Sequence, residues 1–166
     1  MTDKTMPANV YFGSARQGRL VAAPDDKLFL TLPYPEIATN LVRMFEAEYR
    51  RQPDDEFRRQ AVQHLLQQAC VAAYLAAQPA TAARWQERLR REFPEATPHD
   101  ETLDAFVRRS LAETVAALPE ADVIETLHRL ARQAYLLHAL GEPKLARGFE
   151  MQLQTFWQTR RNARLP

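Results

Sequence analysis

From Pro35 onward the apolar residues recur every three to four positions, in segments closed off by prolines. That period puts them on one face of an α-helix. Over 36–51 the side so defined carries Ile37, Leu41, Met44, Phe45 and Glu48, with Pro35 in the first turn and Pro53 as the stop. A second helix is expected from Asp54, as cap, to about Gln78, where Pro79 ends it. Its repeat is Phe57, Ala61, Leu65, Ala69 and Ala72, and from Leu65 to Ala77 it is apolar nearly all round. Such a helix belongs at the centre of a fold. Thr81 is a candidate cap for a short third helix with Trp85, Leu89 and Phe93, closed by Pro94. Pro94–Asp100 reads as the internal linker. A helix over about 101–118 follows, with Leu103, Phe106, Val107, Leu111, Val115 and Leu118 on one face. Pro119 opens the next, with Val123, Leu127, Leu130, Ala134 and Leu137, and Gly141 is its expected left-handed terminator. Pro143 starts the last, with Leu145, Phe149, Leu153, Phe156 and Trp157. Short connections favour antiparallel neighbours.

The first 33 residues read differently. Val10–Phe12, Arg19–Ala22 and Lys27–Leu32 are short apolar runs, and Pro24–Asp25–Asp26 between the last two has turn chemistry. A hairpin of 19–23 with 27–32 is expected, with Leu28, Leu30 and Leu32 on one face. A lone hairpin is marginal, so it must pack on the helices or on a partner. The expected architecture is mainly α: about six antiparallel helices with an N-terminal β-hairpin or extended arm. In this division 1–9 is a flexible tail, 10–33 the arm and 34–166 the helical domain, arm and helices forming one folding unit. A weak internal similarity at an offset of 63 pairs Ala83–Arg84 with Ala146–Arg147 and Phe93 with Phe156. Glu87 and Glu150 stand where a tetratricopeptide consensus places an aromatic, so chance resemblance between amphipathic hairpins is the preferred reading.

Composition narrows the class of protein. The 166 residues are enough for one domain that needs no disulfide or metal to fold. Apolar residues make up 46% and charged residues 26%, which excludes collagen-like, wholly disordered and disulfide-scaffold chains. With 22 basic and 21 acidic residues there is no global field to steer nucleic acid or an anionic membrane. The single Cys70, a polar N-terminus and the lack of a long apolar run lead to the expectation of a cytoplasmic protein without membrane contact.

Candidate chemistry is sparse. Gly13–Gly18 followed by Arg19–Leu20 misses the phosphate-binding loop, which needs lysine and a hydroxyl there and a helix immediately after. His64, His99, His128 and His138 show no ligand spacing, and no H-E-x-x-H occurs. Cys70 lies in the most apolar segment, where a thiol is inert. Ser14 and Ser110 sit in no nucleophile turn, and the clustered carboxylates lie at helix starts, where the dipole favours them. No catalytic residue, metal site or cofactor is therefore expected.

The arginines are the better lead. There are 19 of them against three lysines, with doublets at 50–51, 58–59, 90–91, 108–109 and 160–161. Arg84, Arg88 and Arg91 fall within about 60° of one another on a helix and flank Trp85. The C-terminus after Glu150 has Arg160, Arg161 and Arg164 beside Trp157 and no acid. The candidate interaction surface is accordingly Arg84, Trp85, Arg88, Arg91, Trp157, Arg160 and Arg161, and Leu28, Phe29 and Leu30 form a candidate strand edge for β-addition. The reading is a non-enzymatic adaptor, chaperone-like factor or regulator whose partner is another protein. A nucleic-acid-binding subunit of a larger complex is the alternative, and a helical enzyme or ligand-binding protein without a recognisable motif is the third. Self-association stays open.

Overall fold

The computed structural model describes residues 19–22, 29–32, 35–51 and 55–163. The tail, the run at 10–12, the glycine loop up to Gly18, the turn at 24–26 and Leu28 lie outside the described residues. Within them the chain is mainly helical: α1 Pro35–Arg51, α2 Glu56–Leu75, α3 Pro79–Glu92, α4 Leu103–Ala116, α5 Glu120–Ala139 and α6 Pro143–Ala163. Two four-residue strands, β1 Arg19–Ala22 and β2 Phe29–Leu32, pair antiparallel with Arg19 opposite Leu32. The backbone of β2 comes close to α5.

Local chemistry sets the helix ends, and at three of them it differs from the sequence expectation. Asp55 caps α2 by accepting the Arg58 amide at 3.2 Å. Pro79 opens α3 as its first residue rather than closing α2, so Thr81 lies inside the helix and is not its cap. Proline lacks only an amide that the first turn leaves unbonded, which makes it a natural opener. The cap of α4 is Thr102, whose hydroxyl accepts the Ala105 amide at 3.2 Å.

The helices surround two apolar clusters. The larger joins α1 to α4, and includes Val42, Leu65, Leu66, Cys70, Leu89 and Phe106. Helix α2 packs against α1, α3, α4 and α6, the central position its all-round apolarity predicts. Leu65 and Ala69 are buried there, Ala72 is half-buried, and Phe57, at the frayed start of the stripe, is exposed. The smaller cluster holds Val115 of α4 with Leu130, Ala134, Leu137, Ala146, Phe149 and Phe156 of α5 and α6. Helix α6 ties the two clusters together. At Gly148 a Cβ would strike the backbone carbonyl oxygen of Leu75, so glycine is what allows α6 to cross the end of α2 this closely.

Two helical hairpins share one turn. After α2 the amides of Ala76, Ala77 and Gln78 donate to the carbonyls of Ala72, Tyr74 and Ala73. After α5 those of Leu140, Gly141 and Glu142 donate to Leu136, His138 and Leu137, the same pattern 64 residues on. Ala77 and Gly141 both have positive φ, at 59° and 77°. Proline then opens the next helix in each, at Pro79 and Pro143. The structural offset is 64, one more than the sequence similarity indicates, and it superposes Ala82 on Ala146, Trp85 on Phe149 and Leu89 on Leu153.

Candidate functional site

Two of the four arginines of α3, Arg88 and Arg90, are committed within the fold. Arg88 is ion-paired with Glu46 of α1 and, at 2.9 Å, with Glu92, and its guanidinium lies 5.9 Å from the centre of the Trp85 ring. Arg91 reaches Glu92 at 3.3 Å rather than the Glu87 four residues before it, and Glu87 instead faces Arg90 at 3.9 Å. Burial works to raise the Glu92 carboxyl, and Arg88 outweighs it, holding the carboxyl below its ordinary range. Trp85 is half-buried against the larger cluster. Of the stripe, Arg84 is exposed with only a 3.4 Å contact to the Ala80 carbonyl.

The linker is pinned in the same way. Arg109 grips the Glu101 carboxylate with two nitrogens at 2.8 and 2.9 Å, reaches Glu113 at 3.1 Å and donates to the Ala96 carbonyl at 3.2 Å. It also lies over the Phe106 ring at 5.4 Å. Gln86, buried, donates to the Glu101 carbonyl, as does Arg90. A bidentate arginine of this kind is a structural clamp. Sequence reasoning missed it because, apart from Glu113 at the helical spacing of four, its partners Glu101 and Ala96 stand eight and thirteen residues away. Cys70 is fully buried, its thiol donates to the Ala82 carbonyl at 3.3 Å, and burial pushes it up to about 12. Among the described residues no group of three or more His, Cys, Asp or Glu could hold a metal ion, and no helix is long and apolar enough to cross a membrane.

The C-terminal candidates separate into one internal arginine and an open face. Arg160 donates to the Val115 carbonyl at 3.1 Å and to that of Leu118. The Val115 carbonyl already accepts the Leu118 amide at 3.1 Å, so Arg160 of α6 adds a second donor at the C-terminal end of α4. Trp157 and Arg161 point out, and Trp157 is 63% exposed although it continues the apolar stripe of α6. His138 of α5 and Glu150 of α6 meet at 2.8 Å and mark one rim of this hairpin. Seven residues is nearly two turns. Trp157 therefore follows Glu150 along the rim, while Ala131 and Ile124 continue it from His138 on α5. Ile124 is 66% exposed and Tyr135, three residues from His138, is 73% exposed. Ile124 and Tyr135 escape a sequence reading that searches for buried stripes, because each lies on the polar side of its helix.

Charge is divided along the hairpin: Glu120, Asp122 and Glu125 lie in the first turns of α5, and the basic surplus begins after them. Between Thr126 and Ala163 stand Arg129, Arg132, Lys144, Arg147, Arg160 and Arg161 against Glu142 and Glu150. Glu150 is taken by His138 and Arg160 by the α4 carbonyls, and Arg129, Arg132, Arg147 and Arg161 are exposed on the hairpin together with Glu120, Asp122 and Glu125. No family model, curated protein or solved structure matches this chain.

Proposed function

We propose that this chain is a non-enzymatic, protein-binding helical adaptor or regulator, and that it meets its partner at the α5–α6 rim. The observation that carries the reading is the exposure of Ile124, Tyr135 and Trp157 on a hairpin that also exposes Arg129, Arg132, Arg147 and Arg161. Large aromatics beside arginine are the usual anchors of protein interfaces. Of the surface residues expected from the sequence, Trp157 and Arg161 belong to this face, and Arg84 is a separate exposed charge. Arg88 and Arg160 are engaged within the fold, and Arg91 is exposed and paired with its neighbour Glu92. The N-terminal arm, with Phe29 and Leu30 in β2, is a second contact in this reading, offering a strand edge near α5. A soluble, cytoplasmic setting fits it.

Nucleic acid is the second reading, favoured by the surplus of bases between Thr126 and Ala163. Affinity capture from the native host, with and without nuclease, separates the two. A protein that survives nuclease and is lost with Trp157→Ala supports the adaptor. Co-purifying nucleic acid lost with Arg161→Gln replaces it.

A further inference from the structure

Among the described elements α5 packs chiefly on α6, and its opposite side faces outward. On that side Ala121, Ile124, His128, Ala131 and Tyr135 recur at spacings of three and four, within about 80° of one another, and all five are exposed. One flank of this stripe carries Asp122, Glu125, Arg129 and Arg132, two acids followed by two bases. None of the four makes an ion pair among the described residues. The flank has no net sign, so it selects neither an acidic nor a basic partner. Reversed end to end, however, its charge order is its own complement. Trp157 of α6 stands on the other flank, level with Ala131, since each lies seven residues along from the Glu150–His138 pair.

We propose that this stripe is a two-fold contact between two copies of the chain, α5 against α5 and antiparallel. In the register that sets Ile124 of one copy opposite Tyr135 of the other, His128 comes opposite Ala131. The same register brings Glu125 of each copy within two residues of level with Arg132 of the other, beside the apolar seam, where charges choose partner and orientation. Two-fold symmetry makes every such pair twice. A parallel arrangement would set Glu125 beside Glu125 and Arg132 beside Arg132, and like charges disfavour it. The small Ala131 lets the helices approach at the middle of the stripe, and Trp157 of each copy stands next to that point. One helix pair with a flanking tryptophan is a small interface beside the usual area of about 800 Å² per partner, so the dimer is weak and dissociates on dilution. The proposal goes beyond the adaptor reading and does not rest on it. A second copy and a partner protein would compete for the same rim.

Sedimentation equilibrium on the full-length protein tests the proposal, over a series from about 5 to about 500 µM that suits so small an interface. The mass should rise from monomer toward dimer across the series. Glu125→Arg and Arg132→Glu each set two like-charge contacts in the dimer, and each should weaken association at least ten-fold while the circular dichroism spectrum stays unchanged. An equimolar mixture of the two variants re-forms both ion pairs and should recover the wild-type association to within three-fold. A chain carrying both changes should do the same. Ile124→Asp removes an apolar anchor and should weaken association at least ten-fold, with no recovery in either mixture. A monomer at every concentration overturns the proposal, whether residues 1–18 of the same chain or another protein covers the stripe. A dimer indifferent to Ile124→Asp and Glu125→Arg places the contact elsewhere and overturns it too, as does a charge-swapped mixture that fails to recover. Each of these results leaves the adaptor reading standing, because affinity capture of a different protein decides that one.

Discussion

Ala77 occupies a backbone conformation that glycine holds at the equivalent place in the second hairpin. An L-residue in the left-handed region is destabilised by roughly 1–2 kcal/mol through contact of its Cβ with the backbone. Ala77→Gly relieves this, less the greater freedom that glycine gives the unfolded chain, and should stabilise the protein by about 0.5–1 kcal/mol. Gly141→Ala should cost about 1 kcal/mol. Urea unfolding midpoints measure both, and equal midpoints for all three proteins would show that neither turn holds its residue under left-handed strain. Gly148 acts through space rather than φ. Gly148→Ala pushes a methyl into the Leu75 carbonyl, with its carbon and Cα 3.2 Å away, and backbone cannot rotate aside as a side chain can. It should destabilise by about 1–3 kcal/mol, the range for overpacking, and loosen α6 from α2. A wild-type unfolding midpoint for that variant would mean that the helices do not cross this tightly.

At the scale of the element, helix positions were written in the sequence and helix partners were not. Prolines and a three-to-four-residue apolar period marked out every helix within a few residues, because both act within one or two turns. Caps were harder to locate: adjacent Asp54 and Asp55 offer the same carboxylate, and Pro79 suits both a stop and a start. The commitment of Arg88, Arg109 and Arg160 depends on which helices lie side by side, and no local pattern carries that information. The rim was half legible, through Trp157 and Arg161, whereas Ile124 and Tyr135 looked like incidental members of a polar face. Two ion pairs within helices, Asp104–Arg108 in α4 and Glu92–Arg88 in α3, give the fold a pH signature. Tyr74 of α2 donates to Asp104 of α4 at 2.9 Å, and Arg108 holds that carboxylate at 2.7 Å. Arg108, opposed by partial burial, keeps Asp104 below its ordinary 3.8, and Arg88 keeps Glu92 below 4.5. A carboxylate with a depressed pKa stabilises the fold above its unfolded value and loses that contribution as pH falls through the folded one. The melting temperature should therefore hold near neutrality and decline below about pH 4.5, shallowly, since these pairs are half-exposed. Asp104→Asn should lower the neutral plateau and flatten the decline; an unchanged acid limb would place the proton uptake elsewhere.

For the whole molecule, the described helices occupy well over half of the 166 residues, so a far-ultraviolet circular dichroism spectrum should be dominated by helix. A strand-dominated spectrum would contradict the architecture. The larger consequence concerns charge. A nearly neutral chain with 22 basic residues engages Arg88, Arg109 and Arg160 in contacts within the fold and leaves Arg129, Arg132, Arg147 and Arg161 exposed on the α5–α6 hairpin. That division is the central claim, because the partner-binding reading proposed above depends on exposed arginines beside exposed apolar side chains on the α5–α6 hairpin. Labelling with an arginine-selective dicarbonyl reagent, followed residue by residue by mass spectrometry, tests it on the free protein. Arg129, Arg132, Arg147 and Arg161 should react at least ten-fold faster than Arg88, Arg109 and Arg160. Reaction of Arg88 and Arg160 as fast as that of Arg161 would show the α3 and C-terminal arginines to be equally open, and would contradict the account.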